Sequence, residues 1–141
     1  MLILAQTDTT VGFLSKDPQG INRAKKRPLN QAIIQTLPSL KSLHKRVPKK
    51  FRTLVRRSKQ TTFTLSPSFS FRIVDSDNSH HSLLEHFQGL YSSSANENKK
   101  KFNRSYAFDQ ADLIIEDKRG LYEAPASEMI KLGIKRQRRL R

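Results

Sequence analysis

The feature that most constrains this chain is an unbroken apolar run from Leu2 to Ala5 that enters a polar T-D-T-T turn, Thr7–Thr10. A run without alternation reads as a strand buried on both faces, and such a strand belongs inside a sheet covered by helices. The expected fold class is therefore α/β. The turn sets hydroxyls and a carboxylate at the strand's C-terminal end, where open α/β sheets bind ligands. The same side chains also suit a turn that bonds its own backbone, and spacing alone favours that second reading.

Further along, Asp17-Pro18 is a helix start, with Asp as N-cap and Pro at the first helical position. Arg27-Pro28 closes the helix, because a residue before Pro leaves the helical region. Lys25 and Arg27 sit at that exit, placed either to hold a phosphate or carboxylate or to cap the helix's negative end. Ala32–Thr36 reads as a second strand and Ser39–Val47 as a helix behind a Ser cap, with Leu40, Leu43, His44 and Val47 at helical spacing. Pro48 opens another helix with Phe51, Leu54 and Val55 on one face. Eight of the fifteen residues Lys45–Lys59 are Lys or Arg, an electrostatic footprint suited to RNA or simply a solvated face.

Thr61–Leu65 and Ser68–Val74 alternate with period two and predict a hairpin around Ser66-Pro67. Arg72 interrupts the second strand, where a cation requires an anionic partner, from the protein or a ligand. Ser79–Gln88 predicts a short helix with Leu83, Leu84 and Phe87 inward, leaving His80, His81 and His86 at the surface. Ser92–Asn96 (SSSAN) follows as a short strand ending in hydroxyls and an amide. Asn98–Arg104 reads as a basic loop, and Ala111–Ile115 as another buried-type strand. Lys118-Arg119-Gly120 then makes a turn, Ala124–Ser127 precedes a last apolar element, and residues 134–141 form a basic tail. The expected total is five to seven strands with mixed pairing, in a single domain spanning 1–141.

Composition narrows the function classes. With 27 Lys+Arg against 12 Asp+Glu the formal charge is +15, which favours a polyanionic partner, RNA first. The absence of cysteine removes disulfides, thiolate catalysis and Cys-based zinc sites. No His pair lies at metal spacing, so no metal site is expected. The start has no basic n-region and no apolar run approaches membrane-spanning length, so the expected setting is cytoplasmic, without a membrane partner. The pattern GxxxxGK[ST] occurs nowhere, and no Ser sits in a nucleophile elbow.

Taken together, TDTTVG, KKRP, TFTL, FSFRI, SSSAN, ADLIIED and PAS, in that order, resemble the YrdC/YciO family, the threonylcarbamoyl-AMP synthases. The family pattern runs P-T-D-T-x-Y-G, K-x-R-P, a strand threonine, V-R-x-P, T-S-A-N and P-S-T. Thr7, Asp8 and Thr9 match the first motif, with Gln6 at its Pro and Val11 at its Tyr. Lys25 and Arg27 match K-x-R, and Thr62 matches the strand threonine. Arg72 matches V-R-x-P, with Val74 at the proline. Ser93, Ser94 and Asn96 match T-S-A-N, and Ser127 falls at P-S-T. The chain is shorter than typical members.

The resemblance implies a twisted mixed sheet with short helices, open around a basic cavity. It also implies a nucleotidyltransferase in which L-threonine, bicarbonate and ATP, with Mg²⁺, give threonylcarbamoyl-adenylate and diphosphate. Other proteins, the downstream threonylcarbamoyl transferases, then modify tRNA. Lys25, Arg27, Ser94 and Asn96 are the implied catalytic set. Thr7, Asp8, Thr9, Thr62, Arg72, Ser93 and Ser127 are the implied substrate-binding set. The alternatives are a non-catalytic member of the same fold that binds tRNA or double-stranded RNA, and an unrelated basic ribosome-associated protein.

Overall fold

The computed structural model describes residues 1–133 and 137–141. In chain order the elements are β1 (Ile3–Gln6), β2 (Val11–Ser15), α1 (Pro18–Ala24), β3 (Ile34–Leu37), α2 (Arg52–Arg57), β4 (Thr61–Ser66), β5 (Phe69–Ile73), α3 (His80–Phe87), β6 (Leu90–Ser94), α4 (Arg104–Gln110), β7 (Leu113–Ile115), β8 (Glu128–Leu132) and β9 (Gln137–Arg139). The class is α/β with mixed strand pairing. Nine strands lie among the described residues, more than the five to seven expected, because β2, β8 and β9 carry no strong strand signal of their own. The chain divides into two compact units, Met1–Ile33 with Tyr91–Ala126, and Ile34–Leu90 with Ser127–Arg141.

In the first unit the strands run β7-β1-β2-β6. β1 pairs antiparallel with β2 and parallel with β7, and β2 pairs antiparallel with β6. β1 and β2 are buried along their whole length, as the unalternating start requires. Asp17 caps α1 by accepting from the Gln19 and Gly20 N–H groups at 3.0 and 3.2 Å, with Pro18 opening the helix. The helix then lays Ile21 and Ala24 against Leu4 and Phe13. Two expectations are corrected here. The end of the basic loop turns into α4, nucleated by the Asn103 side chain accepting from Tyr106 N–H. Leu113–Ile115, expected buried, is 36–39% exposed, because β7 is the outermost strand of this unit and β1 covers only one of its edges.

In the second unit the order is β3-β5-β4-β8-β9. The predicted hairpin is β4–β5, with Phe63 paired to Phe71 and their rings 5.8 Å apart at the centre of a core that includes Leu37, Val55 and Leu132. The helix expected over Ser39–Val47 is only a 3₁₀ turn at Leu40–Ser42. Ser39 makes no side-chain cap bond, and Val47 precedes a proline that pushes it out of helical space. His80 is buried rather than at the surface, since it shares a helix face with the fully buried Leu84 four residues on. His81 is half-buried against the Pro38 carbonyl, and His86 is exposed. Of the basic tail, Gln137–Arg139 forms β9 against β8, while residues 134–136 lie outside the described residues.

Candidate functional site

The first unit brings the K-x-R step and the S-x-N step together. Lys25 is the C-cap of α1, and Lys26 takes a left-handed φ of 54°. That turn sends Lys26 outward and leaves Lys25 buried and Arg27 half-buried. The Lys25 ammonium donates to the Ser94 carbonyl at 2.7 Å, the Asn96 carbonyl at 2.9 Å and Asn96 Oδ1 at 3.1 Å, with Ser94 Oγ at 3.4 Å. Its three protons are thus committed to protein oxygens. Arg27 Nε donates to Asn22 Oδ1 at 2.6 Å, and one terminal nitrogen lies 3.5 Å from Ser93 Oγ. Asn22, fully buried, is itself fixed by donating to the Leu29 and Gln31 carbonyls. Arg27 therefore keeps a guanidinium edge for a ligand where Lys25 does not.

Electrostatics follow from burial. Desolvation, and then the neighbouring Arg27, pull the Lys25 ammonium down from its ordinary 10.5 to about 8. Burial also lowers Arg27 from its ordinary value. Ser94 and Asn96 line a hollow of about 480 Å³ with Thr10, Lys100, Glu123 and Ala126. Asn96 is locked in place, its amide donating to the Glu97 and Lys100 carbonyls at 2.8 and 2.7 Å.

The T-D-T-T turn stands at the end of β1, as expected. Thr7 Oγ1 donates to the Thr10 carbonyl at 2.6 Å and accepts from Thr9 N–H, so its hydroxyl serves the turn itself. Asp8 is buried and Thr9 half-buried. Gly12 follows because nothing larger fits: an added Cβ would lie 2.9 Å from Thr7 Cγ2 and 3.1 Å from the Ser93 carbonyl. Gln6, at the family's proline, accepts from Tyr122 N–H through Oε1, and Val11, at its tyrosine, is buried in the core. Arg119, not singled out by the sequence, donates to the Gln6 and Thr7 carbonyls at 3.0 and 3.2 Å while paired with Asp117. It braces the turn from outside.

The remaining candidates belong to the second unit. Arg72 is buried in β5 and donates to Thr62 Oγ1 at 3.2 Å, and Thr62 Oγ1 lies 2.7 Å from Ser127 Oγ. Arg141 extends this ladder, donating to the Ser127 carbonyl at 2.8 Å and to Ser127 Oγ at 3.2 Å. Nothing in the tail's composition marked Arg141 out from its basic neighbours. Only the pairing of its backbone with Met129 places it there. Among the described residues no group of three His, Cys, Asp or Glu side chains converges to hold a metal, and no helix is long and apolar enough to cross a membrane.

Neither a family model nor a curated protein sequence matches the chain. Solved structures do. Sua5 of P. abyssi, as an H234A/Y235A variant, superposes with a TM-score of 0.79 at 18% identity, over 99% of this chain and 49% of that one. The chain has the Sua5/YrdC fold. The same P. abyssi Sua5 complexed with L-threonine gives 0.77 at 19% identity, again over 99% and 49%. E. coli YciO gives 0.74 at 18% identity, over 99% of this chain and 82% of its own. The chain thus spans about half the length of P. abyssi Sua5 and most of YciO. Within this fold, the K-x-R and S-x-N steps are the pair joined by the Lys25 clamp.

Proposed function

We propose that this chain is a threonylcarbamoyl-adenylate synthase, taking ATP, L-threonine and bicarbonate. The observation that carries the reading is the Lys25 clamp on Ser94 and Asn96. A buried ammonium is expensive to place, and its three bonds fix the K-x-R exit beside the hollow that Ser94 and Asn96 line. Support also comes from the fold shared with a Sua5 whose structure holds L-threonine.

In this reading threonine's amine joins bicarbonate to give a carbamate and water. One carbamate oxygen then attacks the α-phosphorus of ATP, the bond to the bridging oxygen breaks, and diphosphate leaves. Mg²⁺ bound to the ATP phosphates would supply further charge neutralisation at the polyphosphate. The Arg27 edge neutralises charge developing on the phosphates, the Ser94 hydroxyl meets the carbamate or threonine, and Lys25 and Asn96 act by positioning. Arg72, Thr62, Ser127 and Arg141 form a second cationic, hydroxyl-rich set with the chemistry to receive phosphate oxygens, and Thr7, Asp8 and Thr9 shape the turn. The adenylate then passes to proteins that transfer the group to tRNA.

The test is diphosphate release by purified protein supplied with ATP, threonine and bicarbonate. Release should need all three, and Arg27→Ala should slow it by about 10²–10³, the usual effect of removing one preorganised charge-stabilising donor. Wild-type protein that binds ATP yet releases no diphosphate would overturn the reading.

A further inference from the structure

Against the T-D-T-T turn of the first unit lies a length of chain that the synthase chemistry does not use. Residues 116–126 form no helix or strand, and Glu123, Ala124, Pro125 and Ala126 make one wall of the hollow that Ser94 and Asn96 also line. We propose that this segment is a gate, latched by Gln6 and Arg119, that lifts from the turn to admit a ligand to the hollow and then closes over it. The proposal deepens the reading of that hollow as the synthase site.

The segment is fastened by hydrogen bonds rather than by packing. Tyr122 N–H donates to Gln6 Oε1 at 2.9 Å, the Tyr122 carbonyl accepts from Val11 N–H at 3.2 Å, and Ala124 N–H donates to Thr10 Oγ1 at 3.0 Å. Arg119 reaches the Gln6 and Thr7 carbonyls from the same segment. All of these bonds end between Gln6 and Val11, on the turn or beside it. One more lies elsewhere, Glu123 accepting from Phe102 N–H. The segment buries little apolar surface in return. Tyr122 is 50% exposed, Glu123 and Pro125 are exposed, and Leu121 is only half-buried against the core. A stretch held by a few polar bonds over little apolar contact opens locally, at a small fraction of the global unfolding free energy.

Two features bias the gate toward opening. Gln6 is 3% exposed, and its Nε2 has no hydrogen-bond partner among the described residues. A buried donor left unmade destabilises the closed state, and it is relieved when Tyr122 lifts away and water reaches the amide. The family pattern has proline at this position, which carries no side-chain acceptor, so the latch belongs to this chain. At the upstream end of the segment Gly120 has a φ of 74°, and an added Cβ there would meet nothing within 4 Å. Glycine adopts positive and negative φ about equally readily, which suits Gly120 to be the pivot.

The experiment is amide hydrogen exchange of the full chain, read residue by residue by NMR, without and with ATP. Tyr122 and Ala124 should report one shared opening constant, about 100-fold or more above that of buried Ala107, whose N–H bonds to the Asn103 carbonyl. Arg119→Ala touches neither N–H, yet it should raise both constants alike by about 10- to 100-fold, because it removes two charge-assisted bonds at a partly exposed site. Thr10→Val keeps the side chain's shape and removes one neutral acceptor. It should raise both by about 2- to 12-fold, and it decides the matter if Arg119→Ala unfolds. ATP at about 100 times its dissociation constant, binding the closed form alone, should lower both by about 100-fold. Tyr122 and Ala124 protected as strongly as Ala107, a variant that speeds one amide and not the other, or bound ATP that leaves both at their free rates would each overturn the proposal. ATP binding and diphosphate release are measured on the same samples. Absence of both refutes the synthase reading, while the exchange rates without ATP still decide the gate.

Discussion

Replacing Lys25 by methionine tests the clamp at the centre of the first unit. The substitution keeps most of the side chain's volume and removes the ammonium, leaving the Ser94 and Asn96 carbonyls and Asn96 Oδ1 without their donor. Hydrogen bonds from a charged group contribute about 1.5–3 kcal/mol each, so the loss is about 4–9 kcal/mol before any gain. The gain is relief of desolvation. A fall in pKa from 10.5 to about 8 corresponds to about 3 kcal/mol before solvent screening is taken into account. The expected net is a destabilisation of about 1–6 kcal/mol at neutral pH, read from urea melts followed by circular dichroism. The pH dependence adds a second, sharper reading. The folded ammonium loses its proton near 8 and the unfolded one near 10.5, so between these values the unfolded chain holds more protons and stability rises with pH. The gap between wild type and Lys25→Met should therefore widen across that window. A variant as stable as wild type would refute the reasoning by showing that the three hydrogen bonds do not exceed the desolvation cost, and a gap that narrows as pH rises from 8 would refute it by showing that the folded ammonium keeps its proton longer than the unfolded one.

Other substitutions probe the frame around the site. Gly12→Ala should cost about 1–3 kcal/mol in the same melts, because the new methyl must displace Thr7 or the Ser93 strand; wild-type stability would show that the turn gives way freely. Asp17→Ala removes the acceptor for two helix N–H groups and should cost about 1 kcal/mol, with Asp17→Asn recovering most of it. Phe71→Ala, in the fully buried core of the other unit, should cost about 3–5 kcal/mol. Unchanged stability there would mean that the Phe63–Phe71 pair is not the centre of that core.

Most of the local structure was legible where one signal dominated. The Leu2–Ala5 run, the Asp17-Pro18 cap and the period-two hairpin through Ser66-Pro67 each rest on chemistry that acts within a few residues. The misplaced elements depend on partners distant in sequence. Val11–Ser15 and Glu128–Leu132 are strands because β1 and β4 stand beside them, and Leu113–Ile115 is exposed because among the described residues no strand pairs with its outer edge. The site divides in the same way. K-x-R and S-x-N could be read as motifs, but the geometry shows that Lys25 spends its protons on the protein while Arg27 keeps a free edge. Asn22, Arg119 and Arg141 act through backbone carbonyls and single hydroxyls, and no local pattern announces them.

The outer strand of the first unit has a consequence for how copies of this chain meet. Leu113, Ile114 and Ile115 pair with β1 on one side only, which leaves a short row of backbone donors and acceptors facing outward beside three apolar side chains. Such an edge is a template on which another chain can add a strand. It is bracketed by Asp112, held by the Leu2 N–H at 2.7 Å, and Glu116, paired with Arg104 at 3.4 Å. Two copies laid antiparallel in register would bring these carboxylates together, so the flanking acids act as gatekeepers that let the apolar edge remain open without inviting its own copy.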